Sequence, residues 1–261
     1  MIKFSIVTIT YNAQDVLLRT VNSVLAQSYP HIEHIIIDGA STDSTLAVAQ
    51  DYNHRSAALH NGHDIRIASE PDKGLYDAMN KGLKQATGDY ICFLNAGDFY
   101  PNNDVIETII RNGSLETTPS SKWPAVLYGD TDIVDAAGNY LHPRRLSPPK
   151  HLSWRSFRRG MLVCHQAFYA RLDIAHNVSY NLDYRYSADV DWCIRIMKEA
   201  HHRRLPMVNV HSIIVDYTEE GQTTLHHRDS LKERYHVMVS HYGKIPTILM
   251  HGWFAVRNLF K

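Results

Sequence analysis

Residues 7–13, VTITYNA, and residues 35–45, IIIDGASTDST, decide the fold class of this chain. Phe4 to Thr10 is a run of β-branched and apolar residues, which predicts a buried strand that ends in a loop. Ile35 to Ile37 predicts a second buried strand for the same reason. Between the two strands, apolar residues recur at helical spacing and indicate a helix: Leu17, Val21, Val24 and Leu25.

The alternation of strand and helix continues to about residue 100. Ile65 to Ser69 and Tyr90 to Leu94 predict a third and a fourth strand, and Tyr76 to Leu83 predicts the helix between them. A further helix, after the second strand, is expected to end at about Tyr52. Strands and helices in this rhythm form right-handed βαβ units. We therefore predict an α/β fold with a mainly parallel central sheet flanked by helices.

Polar residues follow each of the four predicted strands at the point where the strand ends. The four clusters occupy residues 10–12, 38–43, 70–74 and 95–98. Parallel sheets bind their ligands at the carboxyl ends of the strands. If the four strands are neighbours, the clusters meet at one edge of the sheet. The sequence therefore predicts a ligand-binding site at that edge.

Composition excludes several classes of protein. Lysine plus arginine equals aspartate plus glutamate, 27 each in 261 residues, so no global charge indicates a nucleic-acid partner. Cys92, Cys164 and Cys193 are far apart, which argues for reduced thiols in a cytoplasm and against disulfides or a zinc knuckle. We expect no signal peptide, and no run approaches the roughly 18 apolar residues that span a bilayer.

The second half of the chain is less regular. Helical patterns are predicted from Asp189 to Ala200 and from His226 to His241, and Val208 to Val215 is strand-like. Residues 245–260 form an apolar-rich tail with flanking cations. We divide the chain into a domain of residues 1–220 and a C-terminal helical extension of residues 221–261.

The motifs VTITYNA, IIIDGASTDST, SEPDKGLYDAMNKGL (residues 69–83) and FLNAGD (residues 93–98), in this order, resemble glycosyltransferase family 2 proteins with the GT-A fold. The similarity covers residues 3–100 and resumes at Cys164 to Phe168 and Ser187 to Ile196. It is greatest with bacterial enzymes that build O-antigen, capsule and related exopolysaccharides.

The resemblance implies a Rossmann-like GT-A domain whose residues 1–100 bind the nucleotide and whose residues 101–220 hold the acceptor and the catalytic base. It implies a cytoplasmic enzyme that transfers a sugar, with inversion, from a nucleotide-sugar donor to a hydroxyl of a glycan or lipid-linked acceptor. A UDP-sugar is the favoured donor. The resemblance also implies a divalent metal, Mg or Mn.

The same resemblance assigns residues to the donor. Asp38 is placed against the nucleotide base, where a carboxylate can accept an imide or amide proton. The turn that contains Asp72 is placed beside the ribose and diphosphate, where a lysine can neutralise phosphate charge. The residues implied to bind the nucleotide-sugar are Thr10, Tyr11, Asn12, Asp38, Asp72, Lys73, Gly74 and Asn95.

Asp98 aligns with the metal-binding aspartate that ends the family's DxD-like motif. A hard divalent cation held there can neutralise the charge that the diphosphate gains as the glycosidic bond breaks. The sequence departs from the commonest pattern because Gly97 replaces the preceding acid and Asn95 is neutral. His226 is a further candidate to approach the metal.

Asp189 matches the family's catalytic base, which takes the proton of the acceptor hydroxyl. Ala188 stands where the family usually has another acid. Asp191 is the alternative base; on a helix it points about 200° away from Asp189, so only one of the two can face the sugar. His165 and Gln166 lie in a segment that the family places near the donor sugar and the acceptor.

Alternatives remain for the tail and for the function. Residues 245–260 can lie in a membrane interface, which would give peripheral contact at the inner face of the membrane, or can pack on the domain. A non-catalytic subunit that binds nucleotide-sugar or glycan is the alternative function, since acids are missing at Gly97 and Ala188. A dinucleotide oxidoreductase is disfavoured because no GxGxxG follows the first strand.

Overall fold

A mixed sheet runs through the computed structural model of the chain, which describes residues 1–219 and 227–259. Within these residues its strands are β1 Phe4–Thr10, β2 Ile32–Asp38, β3 Asp64–Ser69, β4 Tyr90–Phe93, β5 Val126–Val134, β6 Tyr140–Pro143, β7 Phe168–Arg171 and β8 Met207–Thr218. Across the sheet the order is β3-β2-β1-β4-β7-β5-β6, and β8 pairs with β5 outside this path.

The first four strands form the parallel part of the sheet, as predicted. β1 pairs in parallel with both β2 and β4, and β2 pairs in parallel with β3. All residues of β1 and β2 are buried. This burial on both faces explains why these strands are rich in apolar residues and do not alternate between apolar and polar positions.

Helices cover both faces of the parallel part. In the described residues the helices are α1 Gln14–Leu25, α2 Thr45–Leu59, α3 Leu75–Gln85, α4 Val105–Asn112, α5 Leu172–Ala175, α6 Ala188–His202, α7 His227–Tyr242 and α8 Lys244–Leu259. Leu17 of α1 and Tyr52 of α2 pack with Ile36. Met79 of α3 packs in the cluster that contains Ile37. Since successive strand residues point to opposite faces, α3 lies on the other face from α1 and α2.

Several elements differ from the predictions in extent. The helix expected to end near Tyr52 continues to Leu59. β7 pairs antiparallel with β4 and β5, and β6 pairs antiparallel with β5, so the second half of the sheet is mixed. The helices α4 and α5 and the strands β6 and β7 had no counterpart in the sequence analysis, because each is short.

The C-terminal region is helical, as predicted. In α7, Val237, Met238 and Tyr242 are buried in the main hydrophobic core, and the ring of Tyr242 stacks on Trp154 at 5.6 Å. α7 is therefore packed onto the α/β domain, although the division of the chain at residue 220 stays a prediction. Among the described residues, no helix is both long and apolar enough to cross a bilayer.

Candidate active site

The predicted ligand edge begins with Asp38, whose side chain is held at the end of β2. Parallel pairing brings Thr10, Asp38 and Ser69 side by side at the ends of three strands. The Asp38 carboxylate accepts hydrogen bonds from the hydroxyl of Ser69 at 2.6 Å and from the backbone N–H and hydroxyl of Ser41, the N–H at 3.0 Å. Asp38 is fully buried, so its carboxylate has a fixed orientation at the floor of the edge.

The loop after β1 joins the loop after β2 through Asn12. Asn12 adopts a left-handed backbone conformation with φ of 47°, which Asn tolerates better than most residues. Its side-chain oxygen accepts the N–H of Thr42 at 2.9 Å, and its own N–H donates to Ser41 Oγ at 2.9 Å. Tyr11, next to Asn12, is 64% exposed and presents its ring at the surface. The exposed Tyr11 ring offers a stacking face for a planar ligand, while the oxygens of Asp38 are engaged by Ser41 and Ser69.

Gly39 brings the turn after β3 close to the first two loops. A Cβ at Gly39 would lie 2.5 Å from Oδ2 of Asp72 and 3.4 Å from Cδ2 of Tyr11. Both side chains can approach the backbone here because glycine has no Cβ. Oδ1 of Asp72 accepts the N–H of Gly74 at 2.7 Å. Lys73 is exposed at this turn. The structure therefore groups the residues predicted to bind the nucleotide.

Asp98 lies in a buried position after β4. Oδ2 accepts a hydrogen bond from the side-chain amide of Gln166 at 2.8 Å, and Oδ1 accepts the backbone N–H of Thr218 at 3.0 Å. Burial raises the pKa of Asp98 to about 7, although both hydrogen bonds and the charge of Arg19 act in the opposite direction. Asp98 and Gln166, assigned separately from the sequence, are thus in direct contact.

In the part of the chain that the structure describes, buried oxygen atoms at the ends of β1 and β4 lack a hydrogen-bond partner. Within the described residues, Oγ1 of Thr10 and Oδ1 of Asn95 are buried without a hydrogen bond. The carboxylate of Asp98 and the amide oxygen of Asn95 are hard oxygen donors of the kind that Mg²⁺ and Mn²⁺ accept. The described residues contain no cluster of three or more His, Cys, Asp or Glu that could hold a metal alone. His226 lies outside the described residues.

Asp189 lies in the first turn of α6 and is half-buried. Its Oδ1 accepts a hydrogen bond from the hydroxyl of Tyr76 at 3.1 Å. The ring of Tyr76 stacks on Tyr180 at 5.7 Å, and the hydroxyl of Tyr180 is 2.7 Å from Nε2 of His165. Burial lowers the pKa of His165 to about 4, against the opposing effect of the Asp189 carboxylate, so this imidazole is neutral near pH 7.

A run of contacts connects the two acids. Gln166 donates to Asp98, and the neighbouring His165 contacts the hydroxyl of Tyr180. Tyr180 stacks on Tyr76, which donates to Asp189. Asp98 and Asp189 therefore lie at the two ends of one connected set of side chains.

Asp191, the alternative base, is engaged elsewhere. It is buried, and its carboxylate is 2.7 Å from Arg195 and 2.7 Å from Nε2 of His241. Burial alone would raise the pKa of Asp191, but the hydrogen bond from His241 and the charge of Arg195 outweigh it and lower the pKa. Among the described residues, Asp191 is thus held by ion pairs, whereas Asp189 accepts a hydrogen bond from the neutral hydroxyl of Tyr76.

A cavity of about 400 Å³ lies along β5 and β8, with Asp130, Asp132 and Cys164 among its lining residues. Sγ of Cys164 is 3.0 Å from Oε1 of Gln166, so the Cys164–Gln166 pair separates the cavity from Asp98. Burial raises the pKa of both Asp130 and Asp132. These polar walls can bind uncharged hydroxyl groups.

Sequence analysis missed several residues that shape the site. Arg19 donates to the backbone oxygen of Gly97 at 2.9 Å and to Oγ1 of Thr218 at 3.0 Å. Its guanidinium also lies 4.8 Å from the ring centroid of Phe99. Arg19 therefore fixes the turn that carries Asp98. In the sequence it is an ordinary cation on an amphipathic helix, and no motif singles it out.

The chain matches the family model described as Glycosyl transferase family 2 over residues 5–114. A PGL/p-HBAD biosynthesis glycosyltransferase of Mycobacterium bovis (strain BCG / Pasteur 1173P2) is 32% identical over 221 residues, 84% of this chain and 77% of that protein. TuaG of Bacillus subtilis (strain 168), a glycosyltransferase named for teichuronic acid biosynthesis, is 40% identical over 94 residues, 36% of this chain and 35% of that protein. The chain belongs to glycosyltransferase family 2, which confirms the predicted family and enzyme class.

Solved structures share the fold. S. aureus TarS 1–349 in complex with UDP-GlcNAc has a TM-score of 0.68 at 16% identity, covering 91% of this chain and 66% of that chain. This chain spans 38% of a longer TarS structure. The mannosyltransferase PcManGT from Pyrobaculum calidifontis, in complex with GDP-Man and Mn²⁺, has a TM-score of 0.55 at 15% identity, covering 100% of this chain and 81% of that chain. These similarities confirm the GT-A fold with a helical C-terminal region.

Proposed function

We propose that this protein is an inverting, metal-dependent glycosyltransferase of bacterial surface polysaccharide synthesis. It transfers a sugar from a nucleotide-diphosphate sugar to a hydroxyl of a glycan or lipid-linked acceptor. The observation that carries the proposal is the run of contacts that joins Asp98, through Gln166, His165, Tyr180 and Tyr76, to Asp189. One acid then serves the departing diphosphate and the other serves the incoming hydroxyl.

The nucleotide binds over the loops after β1, β2 and β3. On this proposal the Tyr11 ring stacks on the base, with Thr10 and Asn12 beside it, and the imide proton of the base displaces a serine hydroxyl from the buried Asp38 carboxylate. Asp72, Lys73 and Gly74 contact the ribose and diphosphate. The imide of uracil suits a fixed acceptor such as Asp38, and TarS binds UDP-GlcNAc. A UDP-sugar is therefore the favoured donor.

Asp98 and Asn95 would hold a divalent cation, Mg²⁺ or Mn²⁺, together with diphosphate oxygens and waters. The fit rests on the unpartnered amide oxygen of Asn95 and on the buried Asp98 carboxylate, for which a cation would offset the cost of burial. When bound, such an ion neutralises charge on the departing diphosphate. PcManGT is described with Mn²⁺.

Asp189 acts as the general base. Its carboxylate takes the proton of the acceptor hydroxyl while that oxygen forms a bond to the anomeric carbon and the bond to the diphosphate breaks. Attack opposite the leaving group inverts the configuration at this carbon. Tyr76 donates to one carboxylate oxygen of Asp189 and fixes its orientation. Within the described residues, the other oxygen has no hydrogen-bond partner and is available for the proton.

The acceptor approaches from the cavity lined by Asp130 and Asp132. Carboxylates there accept hydrogen bonds from sugar hydroxyls and repel a second anion, which favours an uncharged glycan portion. Gln166 lies between this cavity and Asp98, and we assign Gln166 and His165 to contacts with the donor sugar and the acceptor. The relatives named for PGL/p-HBAD and teichuronic acid biosynthesis support an acceptor of the cell surface.

The α8 helix provides peripheral contact with the inner face of the membrane. Ile245, Ile248, Leu249 and Trp253 are 74%, 49%, 69% and 58% exposed. Their spacing places them on one helical stripe beside Lys244, as in helices that lie in a membrane interface. This location would bring a cytoplasmic enzyme to a lipid-linked acceptor.

A donor panel tests the proposal. Thermal stabilisation and nucleotide release are measured with UDP-GlcNAc, UDP-glucose, GDP-mannose and dTDP-glucose, each with Mn²⁺ or with EDTA. We expect a UDP-sugar to stabilise the protein most, by about 2.7 kcal/mol at one hundred times its Kd, and only with metal. Metal-dependent binding without turnover on any donor would support the binding-subunit alternative. No binding of any member would refute the proposal.

A further inference from the structure

Glu233 on α7 accepts hydrogen bonds from three consecutive backbone N–H groups. The amides of Arg185, Tyr186 and Ser187 lie 2.7, 2.6 and 2.6 Å from its carboxylate oxygens. Ser187 is the N-cap residue of α6, is fully buried, and makes no side-chain capping hydrogen bond. Glu233 therefore supplies acceptors to the segment that leads into α6 and fixes where this helix begins.

α7 contacts α6 at a second point. His241, eight residues after Glu233 and on the same side of α7, lies 2.7 Å from Asp191 and 2.9 Å from Nζ of Lys198. Between these two contacts, Val237 and Met238 are buried in the core. Two polar contacts at different turns fix both the start and the rotation of α6.

The beginning of α6 determines where Asp189 lies, because Asp189 is two residues after Ser187. Burial raises the pKa of Tyr76, which donates to Asp189, and the charges of Asp189 and Glu233 both raise it further. Tyr76 and Glu233 thus hold the same turn, the first through the Asp189 carboxylate and the second through the backbone N–H of Ser187. A small displacement of this turn would move the Asp189 carboxylate relative to the cleft.

We propose that Glu233 is a positioning residue that holds Asp189 in place through the amides of Arg185, Tyr186 and Ser187. The inference rests on the proposed function, in which Asp189 is the base. It also makes α7 part of the active-site framework, although the sequence indicated only a C-terminal extension. Glu233 acts without touching the substrate, so its loss should affect turnover and leave nucleotide binding intact.

The test compares Glu233→Ala and Glu233→Gln with Glu199→Ala, a control on α6 that removes an exposed pair with Arg203. Turnover is measured with the donor of the panel that is used fastest, UDP affinity by calorimetry with Mn²⁺, and amide exchange of residues 185–187 by mass spectrometry. We expect Glu233→Ala to lower kcat roughly 10- to 100-fold. UDP affinity should change by less than about twofold, while exchange of these amides becomes at least about tenfold faster.

Glu233→Gln should recover most of the lost turnover, because its amide oxygen still accepts hydrogen bonds. In a background of Asp189→Asn, Glu233→Ala should lower the residual rate by less than about threefold, since residues that act as a unit are not additive. Parental kcat in both Glu233 variants would overturn the inference. So would a loss of kcat from Glu233→Ala that is as large in the Asp189→Asn background as in the parent. Parental kcat in Asp189→Asn would instead overturn the proposed base.

Discussion

Gly82 in α3 lies directly against the strand β1. A Cβ at this position would overlap Cγ1 of Val7 and lie 3.4 Å from Cγ1 of Ile37. Val7 and Ile37 are fully buried and β-branched, so they have little freedom to turn away. Gly82→Ala should therefore push α3, which carries Tyr76, away from the sheet.

The size of the effect follows from two opposing terms. Overpacking a core costs about 1–3 kcal/mol, whereas replacing Gly by Ala inside a helix gains about 1 kcal/mol. The difference is a loss of about 0–2 kcal/mol in the free energy of unfolding, and because Val7 and Ile37 cannot turn away we expect the upper half of this range, about 1–2 kcal/mol. Gly252→Ala in α8 is the matched control, because nothing lies within 4 Å of its added Cβ and no loss is expected.

Urea unfolding followed by circular dichroism measures both variants. Val7→Ala removes the overlapping methyl groups, so its cost should be smaller by about 1 kcal/mol in the Gly82→Ala background than in the parent. Parental stability of Gly82→Ala would refute the packing argument. So would an equal cost of Val7→Ala in the two backgrounds.

Three further predictions concern charge and exposure. Burial raises the pKa of Asp98 to about 7, so protonation of Asp98 competes with metal binding below this pH. Acidification from pH 8 to 5.5 should therefore weaken Mn²⁺–UDP binding, measured by calorimetry, about 30-fold more in the parent than in Asp98→Asn. Equal weakening in the two proteins would contradict this prediction. Asp191→Asn should lower the free energy of unfolding at pH 7. The difference in this free energy between parent and variant should shrink as the pH falls through the lowered pKa of Asp191, because protonation of the parent removes the charge that the variant already lacks. A difference that stays constant with pH in urea titrations would contradict this prediction. Leu249→Glu should reduce sedimentation of the protein with anionic vesicles several-fold. Leu59→Glu, at a similarly exposed leucine on α2, should not reduce it. Equal effects of the two substitutions would argue against α8 as the helix that contacts the membrane.

The first hundred residues were predictable because local patterns determine their structure. The strands β1 and β2 are long and buried on both faces, and a helical pattern of apolar residues lies between them in the sequence. The local sequence was therefore enough to predict both strands. The polar clusters at the strand ends followed from the parallel topology. The structure brings these clusters to one edge, as expected.

The second half could be predicted only in part. β7 has four residues, and it lies between β4 and β5 through pairing with strands far away in the chain. No local periodicity encodes such pairing. The longer helix α6 and the strand β8 were found, because their patterns extend over more residues.

The candidate site shows the same limit. Motif resemblance singled out Asp98 and Asp189, which a run of side-chain contacts joins in the structure. It did not indicate that Thr218, 120 residues away, donates to Asp98, or that Glu233 anchors the start of α6. These contacts join distant segments and depend on the folded arrangement, so residue spacing carries no information about them.

Turnover of the preferred nucleotide-sugar by Asp189→Asn, with Asp191→Asn as the matched acid control, tests the central claim most directly. Asp189→Asn should bind UDP and Mn²⁺ with parental affinity and lose at least about 100-fold in kcat, because only proton transfer from the acceptor is removed. Asp191→Asn, whose carboxylate is bound to Arg195 and His241, should keep kcat within about tenfold of the parent. Parental kcat in Asp189→Asn, or the reverse ranking of the two variants, would contradict a two-acid cleft with Asp189 as its base.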